Sequence, residues 1–224
     1  MRIPLTTAKS ATVFLIAAML FNGMLNAGAQ TAPAIALNVQ LLTAARQNEL
    51  GETRRLIAQG AVVDSRNRLG KTALLLACEN GNDDMAAALL AANADVNLAS
   101  VERVTPLMAA SYSGNAALVQ RLLLAGARVD PVDRMNKPAV VYAAGQGNAA
   151  ALDALLASGI DVNARYEHQL TLLMWAAGQG HADAVRLLLA RGAHQDLLDD
   201  RGLSAIDIAR AAGHEGVARA AGLR

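Results

Sequence analysis

The stretch Thr171-Leu172-Leu173-Met174-Trp175-Ala176-Ala177-Gly178-Gln179-Gly180 returns along the chain at one fixed distance of 33 residues. Its opening position is filled by Thr72, Thr105, Pro138, Thr171 and Ser204, and its closing glycine by Gly81, Gly114, Gly147, Gly180 and Gly213. Self-similarity at such a period marks stacked supersecondary units, each burying its apolar face against the next.

Within a unit the residues predict two helices. A hydroxyl ahead of an apolar run supplies an N-cap, its oxygen accepting a free first-turn amide; Thr72, Thr105, Thr171 and Ser204 stand there. Pro106 follows at the first helical position, where its missing N–H costs nothing. The closing glycine ends this short helix by accepting a left-handed conformation. A second helix carries Leu56-Ile57, Leu89-Leu90, Leu122-Leu123, Leu155-Leu156 and Leu187-Leu188, with Val119, Leu152 and Val185 upstream, as a core stripe. It ends at Gly60, Asn93, Gly126, Gly159 and Gly192.

This register resembles the ankyrin repeat, whose Thr-Pro-Leu-His-x-Ala pattern is most complete at Thr105-Pro106-Leu107-Met108-Ala109-Ala110. The resemblance implies an all-α solenoid over residues 39–224, with six units including two terminal caps. It further implies that 64–71, 97–104, 130–137, 163–170 and 196–203 protrude as hairpin-like fingers. The family's fourth-position His is replaced by Leu75, Met108, Val141, Met174 and Asp207, which predicts apolar contact in place of a finger hydrogen-bond network. Val63, Val96, Val129 and Val162 precede the first four fingers, but Gln195 precedes the fifth, so the last interface is expected to be looser.

Residues 1–29 read as a cleavable secretory signal: Arg2 and Lys9 are the only charges, an apolar run covers 11–21, and Ala27-Gly28-Ala29 offers a small-x-small cleavage site. A short lead, 30–38, would follow. The run is shorter than the roughly 20 residues that span a bilayer, so no stable membrane insertion is expected after cleavage. The expected location is the periplasm.

Removing the leader takes two cations from the 20 Lys+Arg and leaves 18 against 19 Asp+Glu. A near-neutral chain has no electrostatic case for nucleic acid, which requires many neutralised phosphates. With 54% apolar residues but only 3% aromatic, the core must be built from Ala and Leu in closely packed helices. Cys78, the single cysteine, takes a position otherwise held by Ala45, Ser111, Ala144, Ala177 and Arg210, which small size explains.

No catalytic constellation emerges. Leu69-Gly70-Lys71-Thr72 lacks the upstream glycine of a phosphate loop. His168, His181, His194 and His214 lack metal-ligand spacing. His181 and His214 share a turn position with Asn82, Asn115 and Asn148. A hydrolase or transferase using the groove would need a His, Ser or carboxylate cluster that the spacing does not supply, and no cofactor is expected.

The resemblance implies a monomeric, non-enzymatic module binding a protein partner through fingers and first helices. Carried onto this chain, the family's contact positions are Arg46, Leu69, Lys71, Glu79, Glu102, Val104, Tyr112, Met135, Lys137, His168, Leu170 and Gln179. Tyr142 and Trp175 are read as core, because their position is Leu76 and Ile208 in other units. A second reading is an accessory protein supporting a periplasmic enzyme, as in oxidative-stress defence.

Overall fold

The computed structural model describes residues 32–224; the expected leader lies outside the described residues. By contacts the chain divides into 1–36 and 37–224, and the second of these holds the stacked repeats. Among the described residues twelve α-helices occur: α1 Ala32–Arg46, α2 Leu50–Ala58, α3 Ala73–Glu79, α4 Asp83–Ala91, α5 Pro106–Ser113, α6 Ala116–Leu124, α7 Ala139–Gly145, α8 Ala149–Leu156, α9 Leu172–Gly178, α10 Ala182–Ala190, α11 Ala205–Ala211 and α12 Glu215–Ala220. They pair into the six units expected. The expected start at residue 39 falls inside α1, which is longer than the other first helices.

Two layers result. Helices α3, α5, α7, α9 and α11 pack in succession, and α2, α4, α6, α8, α10 and α12 form the row behind them. The first layer is close because many of its buried side chains are alanines, among them Ala77, Ala110, Ala143, Ala144, Ala176, Ala177 and Ala209. In the second row Leu56, Leu89, Leu122, Leu155 and Leu188 are buried at the same repeat position, with Leu187 and Leu189 only flanking the last. The register is therefore Leu188-Leu189, one residue later than the expected Leu187-Leu188.

The capping chemistry follows the reading above and extends it. Thr72, Thr105, Thr171 and Ser204 accept the amides of Leu75, Met108, Met174 and Asp207 at 3.2–3.3 Å. Asn82, Asn115 and Asn148, read only as turn residues, cap the second helices by accepting from Met85, Leu118 and Ala151. The Asn115 amide also donates to the Gly81 carbonyl at 2.8 Å, tying one unit to the one before. His181 makes that tie differently, its Nε2–H donating to the Gly145 carbonyl at 2.9 Å.

The finger hydrogen-bond network, expected to give way to apolar contact, is present. Leu75, Met108, Val141 and Met174 are indeed buried, but the fingers do not need a histidine. Each closes on its own backbone through Asn67 N–H to Lys71 O and the equivalent bonds from Ser100, Asp133, Tyr166 and Asp199. Within four of the five, the side chain of Asn67, Ser100, Asp133 or Asp199 also accepts finger amides, an Asx or hydroxyl turn that replaces the absent imidazole.

Neighbouring fingers are joined by Val101 N–H to Leu69 O, Arg134 N–H to Glu102 O and Asp200 N–H to His168 O. Between the third and fourth fingers the corresponding bond, from Glu167 to Met135, is missing. Two further ties fail at the same junction. Asp64, Asn97 and Asn163 accept the amides of Asp95, Arg128 and His194, yet Asp130 accepts none. Arg66 and Arg165 donate to carbonyls of the next finger, Ala99 and Leu198, whereas Ala99 and Val132 hold the arginine position in the second and third fingers, so this tie is absent from the second-to-third junction too. What sets this finger apart is Tyr166, which cannot make the Asx turn, and His168 at positive φ; Gln169 shares its positive φ with Gly70, Arg103, Asn136 and Gly202 of the other fingers.

The last interface is not looser. Gln195 is recruited rather than wasted, its Oε1 accepting from the Arg224 amide at 2.8 Å, while Ala205, Ala209 and Ala218 are buried beneath it. Gly147 shows why a glycine closes a first helix: φ is +70°, and an added Cβ would lie 2.4 Å from the His181 ring.

Two outcomes test this picture. Native-state hydrogen exchange should show the Glu167 amide exchanging roughly tenfold or more faster than those of Val101 and Asp200, since it lacks their bond; equal protection would contradict the break. Gly60→Ala, where nothing lies within 4 Å, should cost about 1 kcal/mol for the left-handed conformation alone. Gly147→Ala should cost more in urea unfolding because His181 must also move.

Candidate partner-binding surface

Fingers and first helices bring one row of side chains to each unit, and eight of the twelve expected contact residues line three grooves on it, while Tyr112, Met135, Lys137 and His168 lie outside these three. Arg46, at the end of α1, borders a groove of about 430 Å³ together with Arg66 and Arg68 of the first finger. Leu69, Lys71, Glu79, Glu102 and Val104 line a second groove of about 270 Å³ between the first two fingers. Leu170 and Gln179 meet at a third of about 170 Å³, beside Trp175, Arg201 and Ile208.

Much of the charge on this face is already engaged. Lys71 pairs with Glu79 at 2.7 Å, and Glu102 with Arg134 at 3.4 Å. The His168 ring contacts Asp200 at 2.9 Å, linking the last two fingers. Exposed pairs of this kind contribute little to stability, at most about 1 kcal/mol. Their effect is to position side chains.

The apolar side chains are unevenly spread. Leu69, Val101, Tyr112 and Met135 are each more than half exposed, at 60, 51, 59 and 54%. All belong to the first three fingers or α5, whereas the tips of the last two present His168, Gln169, Asp200 and Arg201. Val101, Arg66 and Arg68 were not among the expected contacts. The signal for Val101 was present, since its repeat position is otherwise charged: Arg68, Arg134, Glu167 and Asp200.

Tyr142 and Trp175, read as core, are only half-buried against it. Tyr112 and Tyr142 meet edge to face with centroids 6.0 Å apart. Tyr142 donates its hydroxyl to buried Asp133, and burial together with that carboxylate pushes the phenol well above its usual range. Lys137 lies over the Trp175 ring, 4.6 Å from its centroid, a cation–π contact worth about 0.5–1 kcal/mol at an exposed site. The Trp175 indole N–H is buried without a hydrogen-bond partner.

Cys78 is fully buried, and burial drives its thiol far above the usual range, with Glu79 and Asp83 adding to the effect. A thiol held protonated is a poor nucleophile. Among the described residues no three His, Cys, Asp or Glu side chains gather to hold a metal ion, and no helix is long and apolar enough to cross a membrane.

The family model described as ankyrin repeats in three copies matches residues 18–100, 41–133, 94–166 and 140–220. The chain belongs to the ankyrin-repeat family. A solved ankyrin-repeat structure, the crystal structure of EF0377, superposes with a TM-score of 0.70 at 27% identity, covering 81% of this chain and 96% of that one. Mitochondrial disaggregases of Bos taurus and Homo sapiens are 52% and 50% identical over 58 residues, 26% of this chain but only 9% and 8% of those proteins. That stretch is shorter than two 33-residue periods, and the chain spans less than a tenth of the length of these relatives. As an ankyrin-repeat chain, the protein is a protein-interaction module on a fold that is typically a binding scaffold.

Asp199 offers a pH test of the finger chemistry. Burial works against its charge, but the Leu203 and Arg201 amides and the Arg201 guanidinium outweigh it and hold the carboxyl below its usual value. A depressed folded pKa gives stability that is present above the unfolded value, about 3.9, and lost as pH falls through the folded one. Asp199→Asn should therefore lower Tm at pH 7 and flatten its decline between pH 6 and 3. A wild-type slope retained in the variant would remove Asp199 from the acid response.

Proposed function

We propose that this ankyrin-repeat chain is a non-enzymatic binding module of the periplasm, exported on residues 1–29 and acting as a monomer. It holds a protein partner against its fingers and first helices. Export is supported by the two cations, the 11–21 apolar run and Ala27-Gly28-Ala29. The observation that carries the binding role is the run of outward apolar side chains Leu69, Val101, Tyr112 and Met135 on a face otherwise lined by ion pairs. Contiguous exposed apolar residues mark interaction sites, and Tyr and Met are favoured in interface cores. Five fingers at roughly 8–10 Å spacing would extend about 40 Å, enough to bury the ~800 Å² per partner of a standard interface.

Crosslinking and pull-down from periplasm tests this with wild type and a Val104→Ala, Tyr112→Ala, Met135→Ala variant. Wild type is expected to retain a partner that the variant loses by about tenfold or more. Equal capture would move the site off this face.

A further inference from the structure

The first groove differs from the rest of the face in its charge. Arg46 and Arg68 border it with no ion-pair or hydrogen-bond partner for either guanidinium among the described residues, and Arg66 donates there only to the neutral carbonyls of Gly70 and Ala99. No carboxylate lines it, and its apolar wall is made of Val39, Leu42 and Leu76. Arg68 also borders the second groove, so the two are contiguous there. In that second groove both acids are already neutralised, Glu79 by Lys71 and Glu102 by Arg134, while Leu69, Val101 and Val104 leave apolar surface open. Elsewhere Arg55, Arg121, Arg186, Arg191, Arg201, Arg210 and Arg219 each have a carboxylate within 4 Å. Among the described residues Arg54, Arg103, Arg128, Arg165 and Arg224 also lack a carboxylate partner, but only at this end of the face do Arg46, Arg66 and Arg68 line one groove together, beside the exposed Leu69 and Val101.

We propose that this end receives an acidic segment of the protein partner, its carboxylates on Arg46 and Arg68 and an adjoining apolar side chain between Leu69 and Val101. This rests on the reading of the finger face as the partner surface. The physical reason is complementarity in both senses. Guanidinium forks bind carboxylates bidentately, a basic end without counter-charge attracts acidic chains and repels basic ones, and the neighbouring apolar groove favours a side chain leaving water. Arg66 is a positioning residue, because it bridges two fingers and its loss would disturb the groove itself.

A library of random dodecapeptides displayed on phage, selected against the full chain, tests the proposal. Enriched peptides are synthesised and their affinities measured by fluorescence anisotropy. The comparison is between wild type, Arg46→Glu with Arg68→Glu, and Leu69→Ser with Val101→Ser, all checked for unchanged far-UV helicity. The expected result is enrichment of Asp or Glu next to an apolar residue, with binding about tenfold weaker in the arginine reversal and weakened by 0.5 M salt. Peptides without acidic enrichment, weakened only by the Leu69 and Val101 changes, would overturn the acidic partner and leave the finger surface standing. Peptides insensitive to both pairs, or no enrichment at all, would overturn both.

Discussion

Stacking of neighbours is the interaction on which the whole molecule depends. From α2 onward the helices have six to nine residues, well below the roughly 12–15 at which an isolated helix becomes even marginal in water. None could persist without the apolar face of the next unit. The alanines of the first layer let helices approach closely, and a buried leucine at one repeat position in each of the first five units, joined by Met85, Leu118, Val119, Leu152 and Val185, fills the second. Caps and left-handed glycines define where each helix stops, so the stack advances in equal steps.

A second connection runs through the fingers, and it is discontinuous. Backbone and side-chain ties join fingers one to three, and again four and five, while packing of α7 on α9 carries the junction between. Of the aromatic residues of the described chain, Tyr142, Tyr166 and Trp175 are contributed by the units on either side of this break, and Tyr112 by the unit before them. Tyr166 causes part of it, and Trp175 meets Lys137 from across it. Side-chain contact thus replaces peptide hydrogen bonding where the finger ladder stops.

The face splits along the same line. Its first three fingers carry apolar tips and its basic end, while the last two carry mutually paired polar groups. Rigid display of side chains is all that such a surface requires. The buried, protonated thiol of Cys78 is remote from any nucleophilic role.

The period, both helices of each full unit, the hydroxyl caps of the first helices and the terminating glycines were legible in the sequence, because they depend on local backbone chemistry repeated every 33 residues; the asparagine caps of the second helices were not read as caps. Asn93 and Asn48 could be placed at glycine positions for the same reason, and both adopt positive φ. Within the candidate surface, the repeat register located Leu69, Tyr112 and Met135 correctly on the exposed face. What it could not supply was pairing between units. That Lys137 covers Trp175, that Gln195 holds the C-terminal residue and that Arg46 and Arg68 stay unpaired are decided by side chains of different units meeting in space. Local propensity determined the repeat, and only the tertiary stack decided which charges and apolar surfaces remain for a partner, because that depends on distances across units which periodicity alone does not contain.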